Sequence, residues 1–128
     1  MSERRTIETD GAPAAIGPYS QAVASGGLLF CSGQVPLDPK SGELLGKTAP
    51  EQARQCLRNL EAVCSEAGTS LARALRLTIY TTELERFAEI NEAYAEFFEG
   101  APPARAAVGV AALPKGAVVE IDAIVSVE

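Results

Sequence analysis

The sequence predicts an α+β fold, a mixed β-sheet with two helices packed on one of its faces. Three observations predict it. Two stretches carry apolar residues every three or four positions, the helical period. Five shorter runs are rich in β-branched residues or alternate in polarity. Their order along the chain is β-β-α-β-α-β-β, with no repeat, low-complexity tract or linker between them. A chain of 128 residues reads as one domain, residues 1–128, long enough to bury a real core.

The elements follow in order. Residues 21–25 and 28–32 flank Gly26-Gly27, a hairpin signal. Pro36, Asp38, Pro39, Ser41 and Gly42 mark a turn-rich loop. Thr48-Ala49-Pro50-Glu51 starts the first helix: Thr48 can cap, Pro50 suits the first turn, and Glu51 completes a capping box. Ala53, Cys56, Leu57, Leu60, Val63, Cys64 and Ala67 form its apolar stripe, and Gly68 ends it. Residues 75–81 form a β-branched strand. The second helix is expected over residues 83–98, with Leu84, Phe87, Ile90, Asn91, Tyr94, Phe97 and Phe98 on its inner side. Gly100, Pro102 and Pro103 stop it. Strands over residues 104–110 and 117–127 close the chain.

Right-handed crossovers put both helices on the same side of the sheet. The other face then lies uncovered, and the period of two gives its residues. In the last strand Ile121, Ala123, Val125 and Val127 point one way, and Glu120, Asp122, Ile124 and Ser126 the other. In the strand before it, Arg105, Ala107 and Gly109 oppose Ala104, Ala106, Val108 and Val110. Tyr80, Ala107 and Ile124 are expected on the uncovered face, and so are Arg105 and Glu120. Such a face is too apolar for free surface, which points to a homo-oligomer with a pocket between subunits.

Composition narrows the function. The net charge of −6 and pI of about 4.7 disfavour binding driven by phosphate neutralisation, so nucleic acid is not the expected partner. The N-terminal MSERRTIETD has no apolar core of a secretion signal, and no stretch approaches the ~20 apolar residues of a membrane span. The expected location is the cytoplasm. There is no His, which removes Ser-His-Asp and Cys-His nucleophiles and the commonest metal ligand. Cys31, Cys56 and Cys64 lie in apolar surroundings and read as small core residues. Cys56 and Cys64 would sit about 12 Å apart along one helix, beyond disulfide reach. No GxGxxG or Walker-type loop supports a nucleotide or flavin, and neither cofactor nor metal is expected.

Arg105 is the residue that most suggests a site. Pro102 and Pro103 stiffen its approach, and it stands in a run of small apolar residues. The next acidic residue downstream is Glu120. A guanidinium without a nearby partner suits a ligand carboxylate or phosphate. The plainer alternative is an arginine at a strand end reaching water or a distant Glu. Alone, Asn91 reads as a satisfied structural amide, Glu120 as a solvated strand residue, Tyr19 as a packed turn aromatic, and Ser32-Gly33 as a strand-end turn.

Five segments together change that balance: IGPYSQAV (16–23), SGQVPLDP (32–39), FAEINEAYAEFF (87–98), PPARAAVGVAALP (102–114) and VEIDAI (119–124). In this order they resemble the RidA family, also called the YjgF family, over nearly the whole chain. The resemblance implies a chorismate-mutase-like subunit, a homotrimer around a barrel-like centre, and clefts at subunit interfaces. It implies hydrolysis of reactive 2-imino acids, such as 2-iminobutanoate and 2-iminopropanoate released by pyridoxal-phosphate enzymes, to 2-oxo acids and ammonia, with no cofactor. Arg105 resembles the family's carboxylate-binding arginine and Glu120 the acid that directs water. Tyr19, Ser32, Gly33 and Asn91 match pocket positions. Ala107 stands where many members carry a Cys whose backbone carbonyl helps to hold the water. Arg76 replaces a common Lys, and the segment between Phe98 and Pro103 is shorter than in some members. The alternatives are a non-catalytic trimer that binds 2-oxo acids or amino acids and, behind it, the ribonuclease activity attributed to some relatives.

Overall fold

Helix α1 (Ala49–Glu66) forms where its start signal stands. The Thr48 hydroxyl accepts from the Glu51 N–H at 3.4 Å, and the Glu51 carboxylate accepts in return from the Thr48 N–H at 3.1 Å. Ala53, Cys56, Leu57, Leu60, Val63 and Cys64 are wholly buried along one side. Gly68 follows with φ +83°, and the Thr69 N–H reaches back to the Cys64 carbonyl, which closes the helix end. The computed structural model describes residues 3–128, so Met1 and Ser2 of the segment read for a secretion signal lie outside the described residues.

The stripe of α1 lies on a six-stranded sheet of strands β1 (Arg5–Ile7), β2 (Ala22–Ser25), β3 (Leu28–Gln34), β4 (Ala74–Thr81), β5 (Ala104–Gly109) and β6 (Val119–Ser126). Their order is β1-β2-β3-β6-β4-β5. All pairs are antiparallel except β4 with β5. The Gly26-Gly27 hairpin forms as expected, with φ of +61° and +79°, values that only glycine adopts readily. Strand β6 runs through the middle. Val119, Ile121, Ala123 and Val125 are buried against α1, whereas Glu120, Asp122, Ile124 and Ser126 are half-exposed on the far side.

Helix α2 (Phe87–Ala95) packs beside α1 on the same face, and Arg54 and Glu96 join the two by a pair at 2.8 Å. It is shorter than the expected 83–98. No capping side chain precedes it; the Glu83 N–H is taken instead by the Thr81 hydroxyl, and Leu84–Arg86 form a separate 3₁₀ turn. Beyond Ala95, the Glu96, Phe97 and Phe98 N–H groups bond three residues back, a tighter winding than the α-helix. Strand β1 was not anticipated, and β4 carries an irregularity near Leu75, which leaves that side chain 48% exposed.

Buried amides fix the loops that border the site. The Gln21 amide donates to the Thr9, Ala12 and Pro13 carbonyls. Asn59 donates to the carbonyls of Val35 and Leu37. Gln52 accepts from the Val118 N–H at 2.8 Å. All three cysteines are free and buried, as expected. Cys31 also meets Cys64 across β3 and α1; that hydrogen bond and burial push the Cys31 thiol well above its ordinary range.

Candidate functional site

Arg105 lies on the helix side of the sheet. The parallel register pairs it with Leu77, a core residue, so both side chains leave the sheet on the side of α2. Phe87, Asn91 and Tyr94 stand four and three residues apart and present one helical face to it. The Arg105 guanidinium carbon sits 5.1 Å from the Phe87 ring centre and 4.9 Å from that of Tyr94. Its Nη1 donates to the Asn91 Oδ1 at 2.7 Å. Among the described residues no carboxylate pairs with it, and neither Nε nor Nη2 is engaged. One nitrogen is thus tied and two point-matched donors remain for a planar anion. Beside them opens a cavity of about 480 Å³ lined by Asn91, Tyr94, Ala95, Phe98, Gly100, Pro102, Pro103 and Arg105.

Glu120 lies on the opposite, open side. It pairs with Tyr80 across β6 and β4, and the two side chains leave the sheet away from the helices. Tyr80 donates to the Asp122 carboxylate at 3.0 Å on the same face. Burial, and then the nearby Asp122 charge, raise the Glu120 carboxyl above its ordinary 4.5. Ile16, Tyr19, Ser32, Gly33, Val35, Pro114 and Glu120 line a second cavity, of about 390 Å³.

Local structure assembles this second group. The ladder between β3 and β6 shifts register between Cys31 and Gln34, which carries Ser32 and Gly33 toward Glu120. A Cβ on Gly33 would run into the far end of the Glu120 side chain, so glycine here lets the carboxylate lie where it does. The Ser32 hydroxyl donates to the Ser20 carbonyl at 2.6 Å and ties the irregular stretch to the turn carrying Tyr19. That hydroxyl keeps only acceptor capacity for a ligand. The Tyr19 hydroxyl accepts from the Ile16 N–H at 3.3 Å, and its ring is 48% exposed.

The expected residues therefore fall into two groups. Tyr19, Ser32, Gly33 and Glu120 share one cavity; Asn91 and Arg105 share the other. The expectation that Arg105 and Glu120 occupy one uncovered face is wrong within a single chain, because the sheet lies between them. Ala107 is likewise not on the open face: it packs against the core from the helix side and lines neither cavity. Strand β5 offers mostly Ala and Gly on both sides, so its alternation carried no contrast to orient it. In sequence Phe87, Tyr94 and Phe98 have the spacing of a core stripe; that same spacing is the available signal for the cradle around Arg105. Among the described residues no group of three or more Cys, Asp or Glu side chains is arranged to hold a metal ion.

Residues 9–127 match the family model described as Endoribonuclease L-PSP. The chain belongs to this family, whose members include the RidA proteins. It is 52% identical over 120 residues to the RutC family protein y4sK of Sinorhizobium fredii, covering 94% of this chain and 95% of that one. It is 46% identical over 121 residues to the 2-iminobutanoate/2-iminopropanoate deaminase of Mus musculus, covering 94% and 90%. Among solved structures, RidA from an Antarctic Psychrobacter matches with TM-score 0.92 and 46% identity over 95% of this chain and 98% of that one. TdcF of E. coli with bound serine matches with TM-score 0.90 and 42% identity, again over 95% and 98%. The RidA fold accounts for the α+β sheet with two helices on one face that the sequence predicted.

Proposed function

We propose that this RidA-family chain hydrolyses reactive 2-imino acids, such as 2-iminobutanoate and 2-iminopropanoate, to 2-oxo acids and ammonia in clefts between copies of a homotrimer. The observation that carries the proposal is the state of Arg105: held by Asn91 and two rings, paired with no acid among the described residues, and left with two unengaged donors on the border of a cavity. Deaminases among its relatives support the chemistry, and the serine bound in TdcF supports a small amino-acid-like ligand. In this reading Arg105 and Asn91 of one copy form one wall. Tyr19, Ser32, Gly33 and Glu120 of the next form the other, and the domain spans the whole chain. The free thiols suit a reducing compartment such as the cytoplasm.

The reaction needs little help. Arg105 grips the substrate carboxylate through Nε and Nη2 and orients the neighbouring C=N group. A protonated imine is already electrophilic at C2. Glu120 orients water and takes its proton as the oxygen adds to C2, an effect worth roughly 10²–10⁴ in rate. The π pair moves to nitrogen, giving a neutral carbinolamine. Glu120 returns the proton to that nitrogen; the C–N bond breaks, ammonia leaves, and the hydroxyl proton passes to it as the 2-oxo acid forms. The raised Glu120 carboxyl suits both halves of this exchange.

The deciding experiment couples a pyridoxal dehydratase or an amino-acid oxidase to the purified protein and follows loss of imine and release of ammonia. Faster imine loss with stoichiometric ammonia is the expected result. No acceleration, with 2-oxo acids still bound, would leave a binding protein instead. Cleavage of RNA with no effect on imines would favour the chemistry in the family description, against which the net charge of −6 weighs.

A further inference from the structure

Thr81 ends β4 where three elements of the site meet. By the period of two it leaves the sheet on the helix side with Leu77 and Ile79, and it is wholly buried. Its register partners are Val119 of β6 and Gly109 of β5. Valine has nearly the same shape and would fill a buried strand position with no polar group to satisfy. A buried hydroxyl costs free energy unless it is hydrogen-bonded, so its partners show what it holds.

The hydroxyl both donates and accepts. It donates to the Val118 carbonyl at 2.7 Å and accepts from the Glu83 N–H at 3.0 Å. Val118 stands two residues before Glu120. Its own N–H is taken by Gln52 of α1, a buried amide that also donates to the Gly46 carbonyl at 3.2 Å. Glu83 opens the 3₁₀ turn that leads into α2, and neither that turn nor α2 has a capping side chain of its own. Phe87 and Asn91, which hold Arg105, follow four and eight residues after Glu83. The Thr81 carbonyl meanwhile accepts from the Val110 N–H at 2.9 Å, just past the end of the strand that carries Arg105.

Resting on the deaminase reading above, we propose that Thr81 is a positioning residue for the cleft. Its hydroxyl fixes the start of α2, and with it the Phe87–Asn91 cradle of Arg105, against the strand end that leads to Glu120. Each chain gives its Arg105 wall to one cleft and its Glu120 wall to the next, so a slack joint at Thr81 affects every cleft of the homotrimer. Without the hydroxyl the Val118 carbonyl keeps the Thr82 N–H at 3.1 Å. The Glu83 N–H, in contrast, has no other partner among the described residues. The Arg105 wall is then the one that moves.

The test compares Thr81→Val, which keeps the shape and loses the hydroxyl, with Thr81→Ser, which keeps the hydroxyl and loses a buried methyl. Both should lower the melting temperature. Activity, measured where all three proteins are folded by circular dichroism, should separate them. In Thr81→Val, kcat/KM for 2-iminobutanoate should fall roughly 10–100-fold, and 2-oxobutanoate affinity by calorimetry should fall with it; Thr81→Ser should stay within about threefold of wild type in both. Should Thr81→Val not fold, Thr81→Ala takes its place and is read in the same way. Wild-type turnover and affinity in the variant without the hydroxyl would confine Thr81 to stability and overturn the proposal. An equal loss in Thr81→Ser would overturn it too, because packing and not the hydroxyl would then matter. If the wild-type protein hydrolyses no imine, the deaminase reading falls and calorimetry decides. Affinity for 2-oxobutanoate lost in Thr81→Val and kept in Thr81→Ser would uphold the positioning of Arg105, and equal affinity in all three would overturn it. A wild-type protein that binds no 2-oxobutanoate either would overturn both readings.

Discussion

Replacing Arg105 by Lys separates charge from shape. The guanidinium offers two free nitrogens in one plane, with the third tied to Asn91 at 2.7 Å and the flat group lying against Phe87 and Tyr94. An ammonium keeps the charge but donates from a point, so at least one of two charge-assisted bonds to the carboxylate is lost. At about 1.5–3 kcal/mol for such a bond, kcat/KM should fall roughly 10–150-fold. The loss should divide between a higher KM and a lower kcat, because the same contact both anchors and orients the substrate. Folding should suffer little: the side chain is exposed, and each ring contact is worth about 0.5–1 kcal/mol. The assay is imine hydrolysis at varied substrate, with 2-oxobutanoate affinity by calorimetry and a thermal melt on the same samples. Wild-type kcat/KM and affinity in Arg105→Lys would refute anchoring by the fork.

Three further substitutions probe the rest of the site. Glu120→Gln should slow imine hydrolysis by about 10²–10⁴ while 2-oxobutanoate still binds. Its burial raises the folded-state carboxyl, so ionised Glu120 costs stability as pH rises from 4.5 through the folded value; the Gln variant should be more stable near pH 7 and lose that advantage below about pH 4 in denaturant titrations. Gly33→Ala would push on the far end of the flexible Glu120 side chain, so turnover should drop at least tenfold while stability by thermal melt stays within about 1 kcal/mol. Tyr94→Phe removes a buried hydroxyl that has no partner and keeps the ring against Arg105; it should raise stability by up to about 1–3 kcal/mol in urea unfolding and preserve turnover.

What could be read in advance follows from how local each signal is. Helix α1 was legible because its capping box and stripe lie within its own residues, and the hairpin because Gly26-Gly27 states its backbone angles. Strand β6 alternates from Val119 to Ser126 without a break, so its faces were right. Strand β1 is three residues long and buries only Ile7, too little to show a period. The orientation of β5 depends on which residue of a distant strand meets Arg105, and Ala104, Ala106 and Ala107 give no contrast. That one ambiguity moved Arg105 and Ala107 to the wrong side of the sheet. Tyr19, Ser32 and Gly33 gained meaning only from the joint likeness of several segments, since each alone is an ordinary turn residue. Tyr94 and Phe87 carried the right spacing, but an aromatic stripe normally marks a core.

Placing Arg105 and Glu120 on opposite faces has a consequence that a single-chain site would not share. If one ligand uses both, the two must come from different copies, and damaged copies should repair one another. Arg105→Ala leaves a chain with an intact Glu120 wall; Glu120→Gln leaves one with an intact Arg105 wall. Each variant alone has no complete cleft. After denaturing, mixing in equal amounts and refolding, each interface in a closed ring draws its two walls at random. A cleft needs its arginine from the Glu120→Gln chain and its glutamate from the Arg105→Ala chain, so roughly a quarter of clefts should be whole. The mixture should therefore recover about a quarter of wild-type kcat with wild-type KM, because the restored clefts are unaltered and only their number falls. Mixing without denaturation should recover activity only as fast as subunits exchange. A refolded mixture no more active than the average of the two variants, in a protein that light scattering shows to be oligomeric, would mean that the two cavities never form one site.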